Sequence, residues 1–273
     1  MTTRTQLPRP FLKWAGGKTK LISQYLPYIP QFNNYFEPFL GGGALFFYLQ
    51  PKKAFLSDIN EELINVYCCV RDRPAELLTH LKTHQAQHDP QYYYQIRASF
   101  PQTNIARAAR LIYLNKTCFN GLYRENSQGK FNVPIGKYKN PKIYQPELLF
   151  AASQALQNQK IKSYSFEQIL NYAQTSDDFV YFDPPYYPLN STSSFTNYSR
   201  HSFAAAEQIK LQQICLKLAQ RGVKFMISNS DCDFIRELYH NSQFQIIEIT
   251  ANRAINSKAQ RRGKITELLI IST

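Results

Sequence analysis

Apolar runs, glycine turns and helical patterns alternate through the first sixty positions. Asn34 to Phe39 is short and aromatic, Gly41-Gly42-Gly43 follows, and an apolar helix start comes at Ala44. Ala54-Phe55-Leu56 is a second short apolar run, ending at Asp58, and a helix is predicted over roughly Glu61 to Val70. Strand, glycine turn, helix, strand and acid, in that order, is the layout of a nucleotide-binding α/β unit. The pattern then changes. Positions 60 to 115 carry helical periodicity and almost no strand signal. Phe119-Asn120-Gly121-Leu122-Tyr123-Arg124 and Gly129-Lys130-Phe131-Asn132-Val133-Pro134 place Asn, Gly and Pro at spacings that predict hairpins and turns. The α/β rhythm returns with Phe179-Val180-Tyr181-Phe182, a buried-strand run. Leu211, Ile214, Cys215 and Leu218 recur at i, i+3, i+4 and i+7, which predicts an amphipathic helix. Val223 to Ile227 and Leu268 to Ile271 read as strands. The expectation is one α/β domain, residues 1–59 and 148–273, split by a helical and β-hairpin insert at 60–147.

A chain of 273 residues has room for one large domain with a sizeable insertion, and 44% hydrophobic against 19% charged residues predicts a packed core. Charge adds a direction. There are 32 Lys+Arg against 19 Asp+Glu, a formal +13, and such a balance suits either a polyanionic partner or mere solubility. The excess is uneven, however. From Ile105 to Lys142 eight Lys/Arg (Arg107, Arg110, Lys116, Arg124, Lys130, Lys137, Lys139, Lys142) meet one acid, Glu125, a local +7. A solvated face is the bland explanation; aromatics and turn residues interleaved with the charges favour nucleic acid instead. The apolar runs fall short of the ~20 residues of a spanning helix, and MTTRTQLPRPF lacks the apolar core of a signal peptide. Five cysteines, Cys68, Cys69, Cys118, Cys215 and Cys232, are an odd number without metal-ligand spacing. Reduced thiols, a cytoplasmic location, no membrane contact, no metal and a monomer are expected.

The sharpest chemistry is Asp183-Pro184-Pro185-Tyr186, directly after the strand at 179–182. Open α/β sheets bind ligands at the carboxyl ends of strands. The amino nitrogen of adenine shares its lone pair with the ring and is a poor nucleophile. A carboxylate and a backbone carbonyl that accept hydrogen bonds from that NH2 draw it toward tetrahedral geometry, and they stabilise positive charge as it attacks an activated methyl. Two prolines stiffen the turn and remove donors where acceptors are wanted. Tyr186 offers a flat face to a base that has left the helix. The second motif, Phe36-Glu37-Pro38-Phe39-Leu40-Gly41-Gly42-Gly43, puts glycines between a strand and a helix, where a ligand can approach the backbone. It is not the dinucleotide fingerprint of a dehydrogenase. Asp58 suits ribose hydroxyls, or else caps the next helix. The third, Phe11-Leu12-Lys13-Trp14-Ala15-Gly16-Gly17-Lys18-Thr19, suggests a phosphate loop, but Leu12 stands where its first glycine belongs. Taken alone, Trp14 suits core packing.

Together these motifs resemble the Dam-type DNA adenine methyltransferases, which modify GATC and include methylases of restriction systems. The likeness also takes in Asn120 to Arg124, Phe131 to Pro134, Tyr138-Lys139, Pro188-Leu189 through Phe195-Thr196, Ile227-Ser228-Asn229 and Arg262-Gly263-Lys264, in family order from Phe11 to about Ile270. The resemblance implies a Rossmann-like, S-adenosylmethionine-dependent methyltransferase domain with a target-recognition insert. It implies a donor site of Trp14, Lys18, Glu37, Pro38, Phe39, Gly41, Gly43, Asp58 and Asp183, with catalysis by Asp183, Pro184, Pro185 and Tyr186. Double-stranded DNA would be met by Lys13, Phe119, Asn120, Leu122, Arg124, Pro134 and Tyr138. Phe119 stands where the family often has tyrosine; it can stack but has no hydroxyl for a phosphate. Arg253, Lys258, Arg261, Arg262 and Lys264 keep basic character, although the start of that stretch departs from the family. A cognate restriction endonuclease is a conceivable partner.

The residues agree with this independently: Arg is the usual bidentate reader of guanine, and Leu122 and Pro134 suit a thymine methyl. A C5-cytosine methylase needs a thiolate, and no Pro-Cys pair occurs. An N4-cytosine methylase is the closest rival, with Asp before Pro-Pro-Tyr tilting toward adenine by analogy. A DNA-binding module without catalysis is opposed by intact Asp183 and Tyr186, and nothing resembles an RNA-stacking sheet.

Overall fold

A computed structural model describes residues 6–188, 203–252 and 264–273. Among them seven strands form one sheet: β1 (Asn34–Glu37), β2 (Ala54–Asp58), β3 (Lys160–Ser163), β4 (Asp178–Phe182), β5 (Lys224–Ser230), β6 (Phe244–Asn252) and β7 (Lys264–Ser272). Their order is β3-β2-β1-β4-β5-β7-β6. The first five are parallel, and β7 lies antiparallel between β5 and β6. From β1 the chain builds outward to β2 and β3, then returns to the other side of β1 as β4. This reversal leaves a crevice beyond the carboxyl ends of β1 and β4, the usual ligand site of a doubly wound sheet. The architecture is the Rossmann-like one that the sequence predicts.

Side chains alternate between two cores because successive residues of a strand point to opposite faces. Phe179 and Tyr181 of β4 join Leu56 and Met226 in one cluster, while Val180 and Phe182 join Phe55, Phe225 and Ile227 in the other. The second face is covered by α8 (Ala205–Gln220) and α9 (Asp233–Leu238), through Leu211, Leu218 and Ile235. The first face carries α1 (Ile22–Tyr25), α2 (Ala44–Leu49), α3 (Glu61–Asp72), α4 (Pro74–Gln87), α5 (Pro90–Ala98), α6 (Asn104–Thr117) and α7 (Pro146–Leu156). Leu77, Tyr93 and Ile112 of the insert helices belong to the same buried cluster as Leu56 and Tyr181. The segment 60–147 is therefore rooted in the sheet's own core, with α3 lying against β2, β3, α6 and α7. Local sequence starts these helices. Asn60, Asp89 and Thr103 accept the N–H groups of Leu63, Tyr92 and Ala106 at 3.0, 2.7 and 3.3 Å, satisfying donors that a helix start leaves open.

The insert's hairpins differ from expectation. Residues 118–136 fold back on themselves, but the pairing consists of isolated bridges, Cys118 with Ile135 and Glu125 with Phe131. Phe119–Gly121 forms a short 3-10 turn in which Asn120 and Gly121 take φ values of 55° and 65°, the left-handed backbone for which turns use Asn and Gly. β3, β6 and α7 go beyond the sequence prediction. Leu189 to Thr196, Arg253, Lys258, Arg261, Arg262 and Gly263 lie outside the described residues.

Candidate active site

Three segments meet at the crevice. β1 ends on Glu37, and 38–43 turn into α2 with Gly41 and Gly43 at φ of 46° and 64°. The Gly41 N–H donates to Asp58 Oδ2 (3.1 Å) and the Tyr67 hydroxyl donates to the Gly41 carbonyl (3.0 Å). A Cβ at Gly41 would lie 2.7 Å from Trp14 Cδ1. Backbone and space therefore both demand glycine. Gly41→Ala is expected to cost about 1–2 kcal/mol in backbone alone, plus the displacement of Trp14. Urea denaturation checks this; an unchanged midpoint would show that the turn relaxes freely.

Asp58 also accepts the Asn60 N–H at 3.0 Å. Because Asn60 caps α3, the carboxylate of Asp58 is not spent on the helix and faces the glycine turn. Glu37 is buried and accepts from the Tyr35 hydroxyl at 2.8 Å. Burial pushes Glu37 up to about 8, and the nearby Asp183 and Asp58 add to the rise. Burial likewise raises Asp58 and Asp183. Three acids thus converge at one point of a strongly basic protein.

Lys18 is the cation among them. Its Nζ lies 2.8 Å from Asp183 Oδ1 and donates to the Gly16 carbonyl at 2.6 Å. It also sits 4.6 Å from the centre of the Tyr186 ring. The Asp183 carboxylate and the Tyr186 ring therefore border the same small volume. The loop after β4 is propped from below: Gln208 Nε2 donates to the Pro185 carbonyl (3.1 Å), and Asn229 Nδ2 donates to Gln208 Oε1 (2.9 Å). The Tyr187 N–H reaches Asn229 Oδ1 at 3.3 Å, and the Ser230 hydroxyl donates to the Tyr187 carbonyl at 2.7 Å. Gln208 and Asn229 are fully buried, so their amides have no water to turn to and hold the loop rigidly.

One end of this crevice opens onto the basic insert. The Trp14 ring stacks on Tyr123 at 5.5 Å. The Asn115 side chain grips both peptide groups of Lys13 and the Gly121 carbonyl, at 2.8, 2.7 and 3.0 Å. A Cβ at Gly121 would lie 2.4 Å from Lys13 Cδ, so the turn can dock there only as glycine. Lys13 Nζ lies 4.1 Å above the Tyr138 ring. The Phe119 N–H donates to the Pro134 carbonyl at 2.9 Å, and Asn132 Oδ1 accepts from Arg124 Nε at 2.7 Å.

A family model for D12 class N6 adenine-specific DNA methyltransferase matches residues 14–255. The chain belongs to this family. Among its curated relatives, the type II methyltransferase M1.LlaDCHI of Lactococcus lactis subsp. cremoris is 44% identical over 96% of this chain and 94% of its own. The type II methyltransferase M.MjaIII of Methanocaldococcus jannaschii is 44% identical over 97% of this chain and 99% of its own. A DNA adenine methylase of Vibrio cholerae is 37% identical over 97% and 96%.

For a D12 adenine methyltransferase, the residues that the sequence singles out fall into two groups. Trp14, Lys18, Glu37, Pro38, Phe39, Gly41, Gly43, Asp58 and the loop from Asp183 to Tyr186 surround the ends of β1, β2 and β4. Lys13, Phe119, Asn120, Leu122, Arg124, Pro134 and Tyr138 are all exposed; they lie on the 118–136 fold-back, on its Lys13 anchor or, for Tyr138, beneath the Lys13 ammonium. Gln208 carries a contact that no sequence signal points to; Asn132 and Asn229 lie within stretches similar to the family, but their contacts are not legible there. Among the described residues no helix is long and apolar enough to cross a membrane.

Proposed function

We propose that this D12 enzyme moves the methyl group of S-adenosylmethionine to N6 of adenine in duplex DNA, within GATC, after the target base has been turned out of the helix. The donor would lie between the 14–18 segment, the turn of Glu37, Pro38, Phe39, Gly41 and Gly43, and Asp58 and Asp183. The fit is one of charge and space. The half-buried carboxylates of Asp58 and Asp183, with the buried Glu37 beside them and Lys18 as counter-ion, suit a ligand bearing an ammonium and a sulfonium, and the glycine turn admits close approach to its backbone. The donor supplies an activated methyl group. The protein supplies the rest. Asp183 and a proline carbonyl accept the two amino hydrogens, Tyr186 supports the base, and the buried amides of Gln208 and Asn229 keep the loop from yielding as charge develops. We assign residues 60–147 to target recognition, with α3 as the root of that unit on the sheet, and Lys13, Phe119, Asn120, Leu122, Arg124, Pro134 and Tyr138 to the DNA. The two relatives named as type II methyltransferases support a further reading, that a cognate endonuclease cuts the same site.

The observation that carries this is the Lys18–Asp183–Tyr186 cluster at the switch point, with the Gly41 turn beside it. The test is methylation of mixed-sequence duplex DNA with labelled donor, followed by challenge with restriction enzymes. Protection confined to GATC sites is expected; protection elsewhere would overturn the assigned sequence.

A narrower expectation concerns Asp58. Asp58→Ala removes the acceptor of the Gly41 N–H and a charge beside the donor. Donor affinity is expected to fall about tenfold or more, the scale of one charged hydrogen bond of 1.5–3 kcal/mol, with DNA affinity nearly unchanged. Calorimetric titration with S-adenosylmethionine checks it, and an unaltered donor affinity contradicts the role.

A further inference from the structure

Glu267 on β7 belongs to no motif considered so far. It faces Ser230 across the β5–β7 pairing, and Ser230 already holds the Tyr187 carbonyl. From this position Glu267 Oε2 accepts the Tyr186 hydroxyl at 2.7 Å, across 81 positions of sequence. The carboxylate is only partly exposed. A phenol on a carboxylate is a charge-assisted hydrogen bond, about twice as strong as a neutral one, and it removes the freedom of the ring to tilt.

We infer that Glu267 is a positioning residue that fixes and electronically charges the Tyr186 ring for the adenine being methylated. This rests on the proposed role of Tyr186 under the flipped base and extends it. Two observations join here. First, the ring stands beside Asp183, since both border the Lys18 ammonium at 4.6 and 2.8 Å; the ring face thus demonstrably accepts a cation. Second, the amino nitrogen becomes positive as it takes the methyl group, so the reacting base turns cation-like only in the transition state. A phenol whose proton leans toward a carboxylate carries more electron density on its face and attracts positive charge more strongly. Glu267 therefore acts through Tyr186 on the rate step and leaves ground-state DNA binding nearly untouched. It touches neither base nor donor itself.

The test is a double-mutant cycle with the full chain, read as the single-turnover rate of N6-methyladenine formation on mixed-sequence duplex DNA. Glu267→Gln keeps the shape and an acceptor oxygen but loses the charge; Tyr186→Phe keeps the ring but loses the hydroxyl. Glu267→Gln is expected to slow the rate roughly three- to tenfold, the scale of a cation–ring interaction, with DNA affinity and thermal midpoint close to wild type. In the Tyr186→Phe background the same substitution is expected to have no further effect, because the hydroxyl that transmits it is gone. An equal loss in both backgrounds, or none in either, overturns the inference while leaving the activity in place. A wild-type chain that forms no N6-methyladenine overturns the proposed function and this inference with it. A fall in DNA affinity or thermal midpoint that accounts for the rate would reassign Glu267 to holding the β5–β7 pairing and overturn the inference.

Discussion

Asp183→Ala is expected to slow single-turnover methyl transfer about a hundredfold or more, the loss of ~3 kcal/mol or greater that follows removal of a transition-state acceptor. The geometry makes the expectation specific. Asp183 directly follows the fully buried β4 and has Lys18 Nζ at 2.8 Å as its counter-ion. Burial raises its carboxyl while the lysine charge opposes the rise, so the acid is kept available as an acceptor in a crevice that otherwise disfavours charge. Alanine would also leave the Lys18 ammonium buried without its partner, which is destabilising by itself. Asp183→Asn separates the two effects. It keeps the shape and an acceptor oxygen, loses the charge, and should retain the fold while still losing most of the rate. Rapid-quench kinetics at saturating donor and DNA measures both variants. A rate for Asp183→Ala within about tenfold of wild type, well short of the expected loss, contradicts its role.

Arg124→Ala is expected to relax discrimination at one guanine of the site by ~1–3 kcal/mol while adenine is still methylated. Arg124 is exposed on the 118–136 fold-back, and Asn132 accepts from its Nε. That bond orients the guanidinium and leaves its two terminal nitrogens for the paired acceptors of a guanine edge. A lysine reaches the same depth but lacks the planar fork, so Arg124→Lys should resemble alanine in discrimination while keeping more of the overall affinity. Competition among a GATC duplex and its single-base variants, at fixed salt, reads the difference. A uniform drop across all variants with a flatter salt dependence would place Arg124 on the phosphate backbone instead.

Sequence periodicity carried most of the sheet. β4 is legible because a strand buried on both faces needs a continuous apolar run, and Phe179 to Phe182 is one. β3 escaped because it is short and at the edge, with Ile161 as its fully buried side chain between Lys160 and Lys162. In the 118–136 segment the Asn and Gly mark a turn, as their spacing predicts, but the expected hairpin pairing is reduced to isolated bridges, which local turn signals do not reveal. The site was half legible. Residues that must be of one chemical type, such as Gly41 under Trp14 or Asp183 before two prolines, show in the sequence as motifs. Residues that act through long-range packing do not. Gln208 reaches Pro185 across 23 positions and Glu267 reaches Tyr186 across 81, and neither lies in a pattern that spacing could reveal. Asp58 illustrates the remaining ambiguity: an acid after a strand suits both a helix cap and a ligand, and only the capping bond of Asn60 to Leu63 frees it for the second.

The central claim is that this crevice methylates the exocyclic amino group of adenine. Its most direct test is chemical identification of the product. Duplex DNA treated with the full chain and S-adenosylmethionine carrying a deuterated methyl group is digested to nucleosides and analysed by mass spectrometry. The label is expected in N6-methyldeoxyadenosine. Label recovered in N4-methyl- or 5-methyldeoxycytidine, or none in DNA at all, would contradict it.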